Sequence, residues 1–375
     1  MQRILIIIRR SNGDVLLTSP LINALHGHFP NAAIDLLVNQ DTLEIAKLLQ
    51  HVHTIRTYSY QWREHGFASF VQKEWALIRS VFRKYDLAIS LTANDRSTVY
   101  AFLAGKTSIG ESEGSWKKLW WRKILLRHVH LFRRDRHILF NNLAPLDFLK
   151  LSTPRAEVTL RYSPEARVRV SGLLEAEGIG NFLIFHPVAR FRFKIYPLEL
   201  RNALLDDMSG LGIPIIITGG KGPLDRQVSD EIPALSHCYN FIGKTTFEEY
   251  AALTDLSLGY VGMDTVNMHM AAALGKRVFA VFGPTKPFQW APWSNALQTH
   301  ARESKPVQRY GNITLFQAGM SCVPCGLAGC DDNDGVAQCL YEIDPRVIYR
   351  EIKEWLACVT EDVRKYSVTQ TGTGE

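Results

Sequence analysis

Leu256-Ser257-Leu258-Gly259-Tyr260-Val261, then Gly262-Met263-Asp264-Thr265-Val266-Asn267-Met268-His269, then Ala271-Ala272-Ala273 and Arg277-Val278-Phe279-Ala280-Val281-Phe282, read in order as strand, turn, helix and strand. Two short apolar runs flank a segment whose alanines suit a helix lying close on a sheet, which is the pattern of a parallel β-α-β unit. Ligands of open α/β sheets gather at the carboxyl ends of the strands, so the turn at Asp264 and Thr265 is where chemistry is expected. The helix start near Thr265 offers free N–H groups suited to a phosphate. Asp264 and His269 begin and follow the first turn, so both can face the same crevice. A lone histidine is equally at home inside a core, and the residues alone leave that alternative open.

The same alternation extends outward in both directions. Upstream, strands are expected over 182–185, 213–218 and 239–242, and a charged helical pattern over 164–177 is opened by Ser163 and closed by Gly178. Thr245 and Glu248 have capping-box spacing, which predicts a helix over 246–253. Earlier still, β-branched runs at 3–8, 34–38 and 87–91 alternate with helical patterns at 15–26 and 70–85. The expected architecture is α/β with two Rossmann-like domains facing a central cleft. Residues 1–165 form the first domain and 166–345 the second, followed by a helix over 346–366 and a disordered tail over 367–375. The cleft between the domains is the default site.

Composition agrees with two ordinary cores: 375 residues, 46% of them hydrophobic. No apolar run approaches the length needed to cross a bilayer, and Arg9 and Arg10 cut off the aliphatic start before it reaches the length of a signal-peptide core. The chain is therefore expected in the cytoplasm. Its net charge of +6 is concentrated, since residues 115–137 alone hold eight Lys and Arg against one Asp. A local positive surface implies an anionic partner, or else a solvated face.

Three further segments carry candidate chemistry. The loop Arg9-Arg10-Ser11-Asn12-Gly13-Asp14 has one glycine where a dinucleotide fingerprint needs three, which argues against an NAD-type domain. Asp14 reads either as a helix cap or as a general base. The loop His186-Pro187-Val188-Ala189-Arg190-Phe191-Arg192-Phe193-Lys194 brings three cations to a strand end, where they would neutralise a diphosphate or simply be solvated. Cys322, Cys325, Cys330 and Cys339 crowd into a Gly/Asp-rich loop. Their spacing fits a structural zinc or iron, with free or redox-paired thiols as the alternative. Four thiolates would leave no open position for catalysis.

Taken together, Gly13-Asp14 after a strand, the Pro-Val-Ala-Arg-x-x-x-Lys loop, Asp264-Thr265-x-x-x-His269-x-Ala-Ala-Ala and Phe282-Gly283-Pro284-Thr285 resemble the lipopolysaccharide core heptosyltransferases. The similarity is greatest to the heptosyltransferase III branch, although Val188 and Ala189 stand where many members carry hydroxyls. The resemblance implies a GT-B fold, an ADP-heptose donor and an inverting reaction with no catalytic metal. It implies Asp14 as base and Lys194, Asp264, Thr265 and His269 as donor contacts. The basic segment then reads as an acceptor-binding arm, through Lys117, Lys118, Arg122 and Lys123, for an anionic lipopolysaccharide core. Peripheral contact with the inner membrane surface is expected and nucleic acid is not. A protein-directed relative of the same fold, and a non-catalytic nucleotide-sugar or nucleic-acid binding module, are the alternatives.

Overall fold

The structure is a computed structural model that describes residues 1–64, 66–114, 116–153 and 155–370, the side chains of 116–119 and 360–370 apart. Ile4, Leu5, Ile6, Ile7 and Ile8 are all fully buried. A strand without a solvent face belongs in the middle of a parallel sheet covered on both sides, and that is where it lies. The first sheet comprises β1 (Arg3–Ile8), β2 (Ala33–Asn39), β3 (Val52–Tyr58), β4 (Tyr85–Ser90), β5 (Gly105–Ser112) and β6 (His128–Leu131). Its order is β3-β2-β1-β4-β5-β6, and its pairings are parallel.

The second sheet comprises β7 (Leu183–His186), β8 (Ile215–Ile217), β9 (Cys238–Asn240), β10 (Gly259–Met263), β11 (Arg277–Phe282), β12 (Val307–Tyr310) and β13 (Ile313–Gln317). Its order is β12-β13-β11-β10-β7-β8-β9. Only the β12–β13 pairing is antiparallel. In each sheet the chain reverses direction of travel at its first strand, leaving a crevice between β1 and β4 and another between β7 and β10. These are the switch points at which ligands of such sheets bind.

The helices that matter for the site are α1 (Asn12–Leu16), α2 (Ser19–His28), α3 (Phe67–Val81), α4 (Asp95–Ala104), α5 (Trp116–Leu125), α6 (Pro164–Ala176), α7 (Phe247–Leu256), α8 (Val266–Ala273) and α9 (Pro345–Gln370). The pattern over 15–26 is not one helix. The chain breaks at Leu17 and Thr18, where the Thr18 hydroxyl donates to the Val15 carbonyl at 2.6 Å. Pro20 then falls in the first turn of α2, where its missing N–H costs nothing. Ser163 caps α6 by accepting from the Ala166 N–H. The capping box of α7 sits one residue later than the spacing predicted, with Thr246 and Glu249 exchanging hydrogen bonds in place of Thr245 and Glu248. Helix α9 reaches Gln370 and so takes in residues 367–370 of the expected tail, while 371–375 lie outside the described residues.

Two features join the halves. Residues 156–158 run along the segment at 293–298: Trp293 Nε1 donates to the Ala156 carbonyl at 2.7 Å, Asn295 Nδ2 to the Val158 carbonyl at 2.8 Å, and the Val158 N–H to Asn295 Oδ1 at 2.9 Å. One buried apolar cluster also continues from Ile4 and Leu21 through Val158 to Met268 and Val278. Among the described residues no helix is long and apolar enough to cross a membrane.

Candidate active site

Each crevice supplies one half of the site. After β1 the chain turns at Ser11 and enters α1, with Asp14 the third residue of that helix. Ser11 Oγ donates to Asp14 Oδ2 at 2.5 Å, and Arg10 lies 3.4 Å from Asp14 Oδ1. Asp14 is therefore not the residue that caps α1. The residue is 6% exposed, and its carboxylate is gripped by a hydroxyl and a guanidinium.

After β7, the turn Arg192–Lys194 carries Lys194 Nζ to within 2.6 Å of Asp264 Oδ2, at the end of β10. The close approach of these strands depends on glycine, because a Cβ at Gly262 would stand 2.5 Å from the His186 carbonyl. Of the three cations expected at this strand end, only Lys194 is paired with Asp264. Arg190 forms an exposed pair with Asp41 of the first domain, and the Arg192 side chain reaches Gln227.

Thr265 stands at the N-cap of α8, and its hydroxyl makes no cap bond. His269 is buried on the same helix, its pKa lowered to about 4 by burial, with Asp264 opposing the shift and Lys194 adding to it. It is neutral at physiological pH, and its Nδ1 has no hydrogen-bond partner among the described residues. A Cβ placed on Gly13 would lie 3.7 Å from Cδ2 of this ring. The loop at Gly13 therefore lies beside the second-domain histidine, with room for one side-chain carbon between them.

Four residues around Asp14 were not singled out for a role by the sequence. Ser11 and Arg10 hold its carboxylate, and Arg10 also reaches Glu111 Oε1 at 3.2 Å. Glu111 is fully buried at the end of β5. Burial pushes its carboxyl up to about 7, against the pull of Arg10. His130, buried beside it on β6, is pushed down to about 4. Glu111 follows Lys106, Thr107 and Ser108 in β5 and His130 follows His128 in β6, so neither stands out from its strand by pattern.

One expectation needs correcting. Arg122 is no part of an exposed arm: it is 1% exposed, donates to the carbonyls of Glu111 and Ala93, and pairs with Asp95 at 3.0 Å. Its guanidinium clamps α5 to β5 and α4, and its hydrogen bonds are spent inside the protein. Lys123 is exposed, whereas the side chains of Lys117 and Lys118 lie outside the described residues.

Cys322, Cys325, Cys330 and Cys339 are free thiols, and no group of three or more His, Cys, Asp or Glu among the described residues is arranged to hold a metal. Three of the four are exposed. Backbone and carboxylate hydrogen bonds organise the loop instead, with Asp331 accepting from the N–H groups of Asn333 and Gly335, and Asp332 from that of Ala328.

Residues 74–313 match the profile of glycosyltransferase family 9 (heptosyltransferase). The chain belongs to this family. The transferase is 28% identical over 294 residues to lipopolysaccharide heptosyltransferase 3 of Escherichia coli, spanning 76% of this chain and 85% of that one. Its fold matches E. coli ADP-heptose lps heptosyltransferase II with a TM-score of 0.73 at 17% identity, over 96% of this chain and 100% of the other. E. coli heptosyltransferase WaaC with ADP gives 0.71 at 17% identity, over 94% and 99%. The fold is GT-B, as the motif resemblance implied. The transferase is a heptosyltransferase, and the motifs between Asp14 and Thr285 pointed to the right family.

Proposed function

We propose that the transferase moves a heptose from ADP-heptose to the lipopolysaccharide inner core, with Asp14 as the base and Lys194, Asp264, Thr265 and His269 holding the donor. One observation carries the reading: at Gly13 the Asp14 loop lies beside His269, on the same helix that begins beside the Lys194–Asp264 pair. The acceptor hydroxyl gives its proton to Asp14 as its oxygen bonds to the anomeric carbon. The bond from that carbon to ADP breaks, its electron pair leaves on the diphosphate, and configuration inverts. Lys194 and the free N–H groups at the start of α8 take up the charge that develops there. Neutral His269 can hydrogen-bond to the donor without adding charge.

For the acceptor side we retain Lys123, with Lys117 and Lys118, as contacts to an anionic core, and leave Arg122 out. The working site we favour is the cytoplasmic face of the inner membrane. Phe67, Val71 and Trp75 recur every fourth residue on α3 and are exposed, as are Trp120 and Ile124 on α5. Both helices pack beside α4. Apolar side chains next to an exposed lysine suit the headgroup region of an anionic leaflet.

The test is transfer itself. Purified protein is given ADP-heptose together with lipopolysaccharide truncated in the inner core, presented in anionic vesicles, and a panel of proteins. Mass spectrometry is expected to find one added heptose on the lipopolysaccharide. Heptose on a protein with the lipopolysaccharide untouched would overturn the acceptor assignment.

A further inference from the structure

Beyond the base itself, the first-domain crevice holds a second acid that the transfer reaction has not yet used. Arg10 joins two carboxylates, its NH1 lying 3.4 Å from Asp14 Oδ1 and its NH2 3.2 Å from Glu111 Oε1. Glu111 has no solvent exposure. Its Oε2 has no hydrogen-bond partner among the described residues and faces His130 Nε2 at 3.9 Å. Neither nitrogen of that buried ring has a hydrogen-bond partner among the described residues.

The charged groups around Glu111 come from every side. Arg10 approaches from the loop after β1, Asp14 from α1, His130 from β6, and Glu113 from just beyond β5. Arg122 of α5 donates to the Glu111 carbonyl and spends its charge on Asp95 of α4, so it leaves the Glu111 carboxylate to Arg10.

We propose that Glu111 is a positioning residue for the transfer step, acting through Arg10 to set how strongly Asp14 takes the acceptor proton. The inference rests on the reading of Asp14 as base. Two buried carboxylates sharing one guanidinium do not ionise independently. While Glu111 keeps its proton, the charge of Arg10 is directed at Asp14 and weakens it as a base. Once Glu111 ionises, the guanidinium is divided between two anions and the proton affinity of Asp14 rises. His130, already neutral, adds no compensating charge. The chemical step therefore accelerates as the pH rises through the titration of Glu111, near 7.

The experiment is the pH profile of the single-turnover transfer rate. The unaltered enzyme is expected to show a rising limb centred near pH 7, and Glu111→Gln to lose that limb, holding the low-pH rate about fivefold below the unaltered enzyme at pH 8. ADP affinity should not move, and Glu111→Asp should restore a limb with a displaced midpoint. Carbon-13 NMR of glutamate-labelled, unaltered enzyme provides a check that needs no variant: one buried glutamate should titrate with the midpoint of the rate. A Gln variant with the limb intact, or the absence of such a glutamate, overturns the proposal. Asp14→Asn separates the two readings: if it stays active, the base assignment falls, and if it is inactive while Glu111→Gln keeps its limb, only the role of Glu111 falls.

Discussion

The two sheets have the same strand order about their first strands, β1 and β7, yet their crevices are chemically opposite. The first gathers acids, Asp14 and Glu111, around one arginine. The second sets a lysine on an aspartate and opens a helix N-terminus beside a histidine kept neutral by burial. Topology explains why both crevices exist, and side chains decide what each can do. An acid held in a largely buried pocket suits the removal of a proton, whereas a cation and free N–H groups suit an anionic leaving group.

That contrast can be broken by substitution. Asp14→Asn keeps the size of the side chain and removes its capacity to accept a proton, so turnover should fall by about a hundredfold or more. Calorimetry should find ADP binding unchanged, and an active Asn variant would end the assignment of the first crevice to proton removal. Arg122→Ala tests whether the basic segment is scaffold or arm. Leaving two carbonyls and Asp95 without their donor should cost about 2 kcal/mol of stability, with the Michaelis constant for the acceptor unchanged. A stable variant with a weakened acceptor would restore Arg122 to the arm. Lys194→Ala should weaken ADP by about tenfold, by removing one charge-assisted contact to phosphate. It should also lower thermal stability, because Asp264 is 6% exposed and would be left without its cation. Equal ADP affinity in this variant would sever Lys194 from the donor.

Local signals explain what the sequence made legible. Alternating β-branched runs and helical patterns announce two parallel sheets, and the strand over Arg277–Phe282 falls at its expected bounds. Asp264, Thr265 and His269 could be read as one candidate group because they follow one another along a single β-α junction, where spacing along the chain is spacing in the fold. Glu111 was not, since its contact with Arg10 joins positions 101 apart. Arg122 misled for a related reason. A basic residue among basic neighbours on a short helix looks solvated, and only the carbonyls of Ala93 and Glu111, brought from other elements, make its burial tolerable. The cysteine spacing left metal binding and free thiols open, and in the structure all four are free thiols.

The seam between residues 156–158 and the segment at 293–298 also orders events in time. Its bonds join positions 137 apart, so the partner strip is synthesised long after the first sheet is complete. Until then Ala156 and Val158, nearly inaccessible in the finished protein, lack that partner, although Thr159 and Leu160 already bond to Ser19 and Gln50 of the first domain. A chain emerging from the ribosome can settle β1 to β6 early, since domains fold as units from the N-terminus. The seam is completed only when Trp293 and Asn295 arrive, so the second half of the chain closes over the end of the first.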